Sequence, residues 1–415
     1  MKIFKFGGAS VKDADGVKNV LRVLKHEGFQ HTLIVISAMG KMTNAFEKII
    51  NSYYHKTNDI NQNIEFVRNY HVTITTNLFE DKNHQIFVEV EQLFHQLNEF
   101  LITNDSTDYN FIYDQIVGYG ELLSTKIISA YLNENQIRNS WIDVREYIKT
   151  DSNYRDAQVN WEQTSANISN LNPEKLYITQ GFLSAGDNQK STTLGREGSD
   201  YTAAIFAYCL NAQNLTIWKD VEGVLNADPR FFEKTELLKQ ISYSEAIEMA
   251  FYGASVIHPK TLKPLENKNI PLFVRSFYQL DLKGTAVGKG HNLVPETPCF
   301  ILKQNQLLIS ISALDFSFMV EYNLSELFKA LHNYKLKVNL IQNSALSFSV
   351  CIEDKYNNFQ HFLSELKLKY NISYVENVSL YTIRHANQQA VNTIEQKGKM
   401  LLKQATKGTV QVVMQ

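Results

Sequence analysis

Residues 194–204 read LGREGSDYTAA, and the fold turns on how this stretch is understood. Gly195 and Gly198 bracket Arg196, and Ser199 and Asp200 open an apolar run over 201–210 that reads as a helix. The first backbone amides of a helix point outward with partial positive charge, which makes that end an anion site. The two glycines let backbone approach a ligand, and Arg196 adds a planar fork suited to carboxylate or phosphate. Ser199 and Asp200 also read as an ordinary N-cap and first-turn acid, so the stretch gains meaning only from its context.

Three other segments supply that context. The chain opens with an alternating strand that runs straight into glycines, KFGGAS at 5–10. Glycines at a strand-to-helix turn bring backbone near phosphate, although this spacing matches neither the Walker A loop nor the dinucleotide fingerprint. The second segment, LIVISAMGKMTN at 33–44, is a buried-type strand that ends in hydroxyls and a glycine. The third, IWKDVEGVLNADPR at 217–230, is a strand feeding an acidic turn. All four segments put polar groups just past the carboxyl end of a strand, where open α/β sheets bind ligands.

Composition bounds the alternatives. A chain of 415 residues suggests two or three domains. With 44% apolar residues it can bury a core, and 20% charged residues with a net charge of −2 speak against a nucleic-acid or membrane-surface protein. Cys209, Cys299 and Cys351 lie far apart in apolar runs without metal-ligand spacing, and read as core thiols of a reducing compartment. The opening residues already form a strand and no apolar run is long enough for a span. Neither signal peptide nor membrane span is therefore expected, and the expected location is the cytoplasm.

Strand and helix patterns alternate up to about residue 280, predicting a mainly parallel sheet covered by helices. Residues 45–133 interrupt the alternation with an almost strandless stretch. Helices are expected over 86–101 and 116–132, with 104–110 as a loop between them. Glycines and prolines cluster over 281–298, which reads as a linker. Beyond it the pattern predicts strands at 307–313, 337–341, 346–352, 378–384 and 408–414, and helices at 324–334, 359–370 and 390–404.

The chain resembles the aspartate kinases of the amino acid kinase family. The resemblance rests on KFGGAS at 5–10, SAMGKMTN at 37–44, GYGELLS at 118–124, LGREGSDYTAA at 194–204, KDVEGVLNADPR at 219–230 and GASVIHPKTL at 253–262. The motifs stand in family order over roughly the first 280 residues, and the tail matches less sharply. The implied organisation is an amino acid kinase domain over 1–280, a linker over 281–298 and two ACT-like (ferredoxin-like) α+β units. One of these covers 307–370; the other, truncated, combines 299–306 with 371–415. A homodimer through these units is implied, because exposed strand edges need a partner. A fused homoserine dehydrogenase half is not expected within this length.

The implied reaction transfers the γ-phosphate of ATP, with Mg2+, to the side-chain carboxylate of L-aspartate. This is a step toward lysine, threonine and methionine. A carboxylate of pKa about 4 is already ionised at neutral pH, so the nucleophile needs no general base. The site must instead align two anions and neutralise charge in transit. The resemblance assigns Lys5 and Asp200 as catalytic, and Ser37, Thr43, Glu121, Phe182, Arg196 and Ser199 to aspartate. It assigns Lys5, Gly7, Gly8, Ser10, Asp220 and Arg230 to nucleotide, and no side chain as a metal ligand. Read without the resemblance, Glu121 is a solvated helix-face charge, Arg230 a solvated turn residue and His258, before Pro259, a structural residue.

Three positions depart from the family pattern. Glu197 stands where glycine is common, Ser255 where a lysine contacting nucleotide is usual, and Leu225 where an aromatic often lies against adenine. Lys260 is the nearby cation available as a replacement. These departures keep a non-catalytic amino-acid sensor open as a reading, and another amino acid kinase, such as a glutamate 5-kinase, is the nearer alternative. In the tail, the loop 312–318 lacks the glycine that ACT domains place against an effector, and carries Phe316 and Phe318 instead. The segment 342–347 also lacks an acid for an amino group. The tail is therefore expected to serve dimerisation and stability, with weak or absent inhibition by lysine and threonine.

Overall fold

The computed structural model describes residues 1–254, 257–290, 292–315 and 317–415. Ser255 and Phe316 lie outside the described residues. The chain divides into two compact units. The first holds Met1–Val224, Leu237–Ile247 and Ile257–Leu293; the second gathers Val294–Gln415 with Leu225–Glu236 and a short stretch from Glu248 on.

An eight-stranded sheet forms the centre of the first unit. Its strands lie side by side in the order Gln240–Ser242, Thr285–Gly288, Leu272–Ser276, Asn214–Lys219, Lys2–Phe6, Thr32–Ile36, Tyr177–Gln180 and Ser140–Trp141. All neighbours pair in parallel except Leu272–Ser276 with Thr285–Gly288. A parallel sheet covered on both faces needs strands apolar on both sides, and TLIVI at 32–36 is buried at every position. Lys2–Phe6 is central, between 214–219 and 32–36, and it carries Lys5 into the interior.

The strandless stretch consists of helices: Met42–His55, Ile60–Leu78, Gln85–Thr103, Tyr109–Ile116 and Tyr119–Glu134. Phe46, Ile49, Val67, Leu97, Ile116 and Ile127 join them in one buried core with Phe4, Phe6 and Ile36 of the sheet. Two of the five helices lie N-terminal to those expected, and the loop expected over 104–110 ends as Asp108 caps Tyr109–Ile116. The segment expected to be a linker, 281–298, contributes the strand Thr285–Gly288. Thr285 and Val287 alternate inward, and a side chain on Gly284 would meet the Val274 carbonyl. Its glycines therefore flank a short strand.

The second unit is built on a six-stranded antiparallel sheet in the order Lys337–Asn343, Ser347–Glu353, Cys299–Ala313, Tyr370–Arg384, Thr409–Met414 and Met400–Thr406. The two fifteen-residue strands, Cys299–Ala313 and Tyr370–Arg384, run through both halves. Their register shifts around Gln306, where Asn305 and Asn377 both adopt left-handed backbone. On one side of this bulge a core forms beneath the helices Glu321–Asn333 and Phe359–Leu366; on the other a smaller one forms beneath Gln388–Glu395.

The helix expected over 390–404 is a correction. It ends at Glu395, and Met400–Thr406 is a strand paired with Thr409–Met414. Lys407 and Gly408, the latter at φ +79°, make the two-residue turn of that hairpin. The partner strand supplies hydrogen bonds that an isolated helical pattern ignores. Cys209, Cys299 and Cys351 are thiols and not disulfides. Among the described residues no helix is long and apolar enough to cross a membrane.

Candidate active site

Lys5 leaves the central strand at a position 7% exposed, and Asp200 stands in the first turn of the helix Gly198–Cys209 at 4% exposed. Lys5 Nζ lies 2.6 Å from Asp200 Oδ1. A buried ammonium or carboxylate alone is strongly disfavoured, so each group makes the other tenable. Burial pushes the Asp200 carboxyl up, yet the charges of Lys5 and Lys219 and the hydrogen bond from Lys5 outweigh it and hold the group below its ordinary value. The centre is therefore a carboxylate between two cations. Lys219, at the end of Asn214–Lys219, was given no role from sequence; its only signal there is a cation beside Asp220 at a strand terminus.

The glycine turn packs against the neighbouring loop. A side chain on Gly8 would fall 2.6 Å from the Ala38 carbonyl oxygen and 2.8 Å from that of Gly40, so only glycine permits this approach. Gly40 N–H donates to the Gly8 carbonyl and Ser37 N–H to that of Phe6, which joins the two motifs. A Cβ on Gly7 would make ordinary contact with Lys5 Nζ. Ser37 is half-buried beyond Thr32–Ile36, and Thr43 is half-buried in the first turn of Met42–His55. Ser10 is buried, and its hydroxyl donates to the Trp218 carbonyl at 3.3 Å.

Glu121 is 2% exposed, which overturns its reading as a solvated charge. Burial pushes its carboxyl up to about 8, against hydrogen bonds from the Ala38 backbone and its own N–H and the charge of Lys5. Its Oε2 has no hydrogen-bond partner. A buried carboxyl with one unpartnered oxygen suits a cationic donor such as an ammonium. Gly120, against Ala38 and Phe46, lets the helix come close enough to place it.

Arg196 is exposed in the loop that leads into Gly198–Cys209. Glu197, not Ser199, caps that helix, at φ +54°. Ser199 is buried in the first turn against Gly181, and Gly198 packs on Phe182. Phe182 has left-handed backbone, and its N–H donates to the Thr202 hydroxyl. Glu197 Oε2 accepts from the His258 backbone N–H at 3.0 Å, so this departure from the pattern is committed to the protein itself. His258 caps Pro259–Lys268, as a structural residue does. Lys260, the offered replacement cation, is ion-paired with Asp156. Leu225 is half-buried and Asp220 is exposed just past its strand. Arg230, in the second unit, is exposed and pairs with Asp228 at 2.6 Å. Among the described residues no group of three or more His, Cys, Asp or Glu side chains is gathered to hold a metal ion.

The model of the amino acid kinase family matches residues 1–276. Lysine-sensitive aspartokinase 3 of Escherichia coli (strain K12) is 30% identical over 346 residues, covering 82% of this chain and 76% of that enzyme. The chloroplastic bifunctional aspartokinase/homoserine dehydrogenase 2 of Arabidopsis thaliana is 31% identical over 294 residues. That match covers 69% of this chain but 32% of the plant protein, so the chain spans about a third of that relative's length. The crystal structure of E. coli aspartokinase III in complex with lysine and aspartate matches with a TM-score of 0.82 at 26% identity, over 100% of this chain and 96% of that one. The same enzyme in complex with aspartate and ADP matches with a TM-score of 0.81, again at 26% identity and over 100% of this chain and 96% of that one. With its central sheet, its Lys5–Asp200 centre and the family model all falling on the same residues, the chain belongs to the amino acid kinase family.

Proposed function

We propose that this chain transfers the γ-phosphate of ATP to the side-chain carboxylate of L-aspartate, giving 4-phospho-L-aspartate. The observation that carries the reading is the buried Lys5–Asp200 pair beside Lys219. Its support is the match along most of the chain to an E. coli aspartokinase seen with aspartate and ADP.

The acceptor carboxylate is ionised at neutral pH, so no side chain is needed to take a proton from it. Lys5 neutralises the charge that develops on the phosphoryl group, and Asp200 holds the ammonium in place. ATP supplies the phosphoryl group and arrives with Mg2+, which offsets phosphate charge. The close-packed Gly7–Gly8 turn fits a phosphate cradle, to which Ser10 and Asp220 belong as nucleotide residues; Arg230 is proposed as a nucleotide residue in its own right. Arg196 pairs with an aspartate carboxylate and Glu121 with its ammonium; Ser37, Thr43, Phe182 and Ser199 complete the pocket.

The kinase domain is placed at 1–280, and the tail is read as two ACT-like units, 307–370 and 299–306 with 371–415. These units pair two copies of the chain. Leu314, Phe318 and Tyr322 are exposed, which suits such an interface. The enzyme is placed in the cytoplasm. A hydroxamate or ADP-release assay with L-aspartate, L-glutamate and ATP tests the reading. Turnover with aspartate is expected; preference for glutamate points to a glutamate kinase, and binding without turnover to a sensor.

A further inference from the structure

We propose that Asp114 is a positioning residue for the substrate loop 194–197, acting through the strand Ser191–Thr193. The inference rests on the reading of Arg196 as a ligand for the acceptor carboxylate. Ser191–Thr193 belongs to a two-stranded hairpin with Leu183–Ala185, in which Thr192 pairs with Ser184. Among the described residues its other edge pairs with no third strand, yet its peptide groups are buried and need partners. Two consecutive residues of the helix Tyr109–Ile116 provide them. Gln115 bonds both the N–H and the carbonyl of Ser191, at 3.2 and 2.8 Å. Asp114 accepts from Thr193 N–H at 2.9 Å and from its hydroxyl at 2.8 Å.

Asp114 accepts a third bond, from Arg155 N–H at 2.9 Å, and is 0% exposed. Oδ2 takes both backbone N–H bonds and Oδ1 takes the hydroxyl, so an apolar residue of similar size at this position leaves all three donors without an acceptor. Burial pushes this carboxyl up to about 6 despite those bonds, so the site keeps an acid at an electrostatic disadvantage. Packing alone does not call for one.

The bonded Thr193 stands three residues before Arg196. Leu194 N–H is held by the Phe182 carbonyl at 3.0 Å, and Ala157 N–H by that of Thr193 at 3.0 Å. Asp156, next to Arg155, lies against Gly195, which is at φ +77°. Asp114 thus joins the helix, the 155–157 segment and the entry to the substrate loop. With so short a tether, a displacement of Thr193 carries through to Arg196, and small misplacements of a binding group are costly.

The test compares the full chain with Asp114→Leu and Thr193→Val. Hydrogen exchange needs no substrate: Asp114→Leu is expected to speed exchange over 191–197 by about tenfold while the central sheet keeps its protection. In the assay the aspartate KM is expected to rise about tenfold, with the ATP KM within roughly twofold of the parent. Thr193→Val removes only the hydroxyl bond, so its effect should be smaller and should vanish in the Asp114→Leu background. Unchanged exchange and KM overturn the proposal, as does an equal rise in both KM values with protection lost everywhere. If Asp114→Leu does not fold, Thr193→Val decides alone: a selective rise in aspartate KM supports the proposal and an unchanged KM overturns it. If the parent chain does not phosphorylate aspartate, the proposed function fails while exchange over 191–197 still decides the role of Asp114.

Discussion

Lys5 Nζ and Asp200 Oδ1 meet at 2.6 Å in the interior of the first unit, joining the central strand to the first turn of the helix after the loop 194–197. Their proximity makes each residue part of the other's stability as well as part of the proposed chemistry. Truncating either leaves a buried charge uncompensated, at a cost of about 3–5 kcal/mol. Lys5→Ala and Asp200→Ala should therefore lower kcat by about 10²–10⁴ and also lower the melting temperature. Asp200→Asn keeps the shape and separates the two effects. Near-parental kcat in all three variants would remove the pair from the mechanism.

Arg196 and lysine carry the same charge, but lysine lacks the bidentate fork. Arg196→Lys is expected to raise the aspartate KM by about 10- to 100-fold, the worth of one charge-assisted bond, with little change in ATP KM. Steady-state kinetics with each substrate varied in turn checks this. An unchanged aspartate KM counts against a carboxylate role.

Glu121, held up at about 8, keeps its proton at neutral pH while the unfolded chain has lost it. The folded state then binds more protons than the unfolded one between about 4.5 and 8, so stability falls as pH rises through that window. Asp114 acts with the same sign but only up to about 6. Buried His71, pushed down to about 4, acts only below the ordinary histidine range. Between pH 6.5 and 8, thermal melts of the ligand-free chain should thus lose stability that Glu121→Gln retains. The same variant should bind aspartate poorly, and calorimetry in buffers of different ionisation enthalpy should show proton release when the parent binds it. Parallel melting curves for parent and variant over this range would defeat the assignment.

Glu197→Gly tests whether that side chain serves the ligand or the fold. Glycine relieves the left-handed backbone but gives up the bond to His258 N–H, and both effects are about 1 kcal/mol. Stability and aspartate KM should both stay close to parental. A large fall in aspartate KM would mean that the carboxylate intrudes on the site.

The tail makes a separate prediction. Lysine and threonine, alone or together, should inhibit weakly or not at all, because the loop 312–318 has no glycine and Asp315 already accepts from Ser317 N–H. Light scattering should give the mass of two chains at micromolar concentration. Strong inhibition at sub-millimolar effector, or a single-chain mass, would reverse the corresponding half of this reading.

What the amino-acid sequence determined by itself was local and periodic. The apolar run at 32–36, the alternation at 2–6 and the helix after Asp200 follow from side-chain spacing within a few residues, and each stands where it was expected. Gly8 was legible because a close approach leaves room for no other residue. Tertiary structure alone decided the quantities that depend on distance and dielectric. Glu121 reads as a surface charge until the fold buries it with the Ala38 backbone at its carboxyl. Lys260 reads as a phosphate contact until Asp156 appears beside it. Asp114 and Thr193 are 79 positions apart and carry no local mark of their partnership. The strand Met400–Thr406 exists because Thr409–Met414 folds back on it, a gain that no helical window registers. Periodicity is a property of neighbours along the chain, whereas charge burial and hydrogen-bond satisfaction belong to neighbours in space, and only folding brings those together.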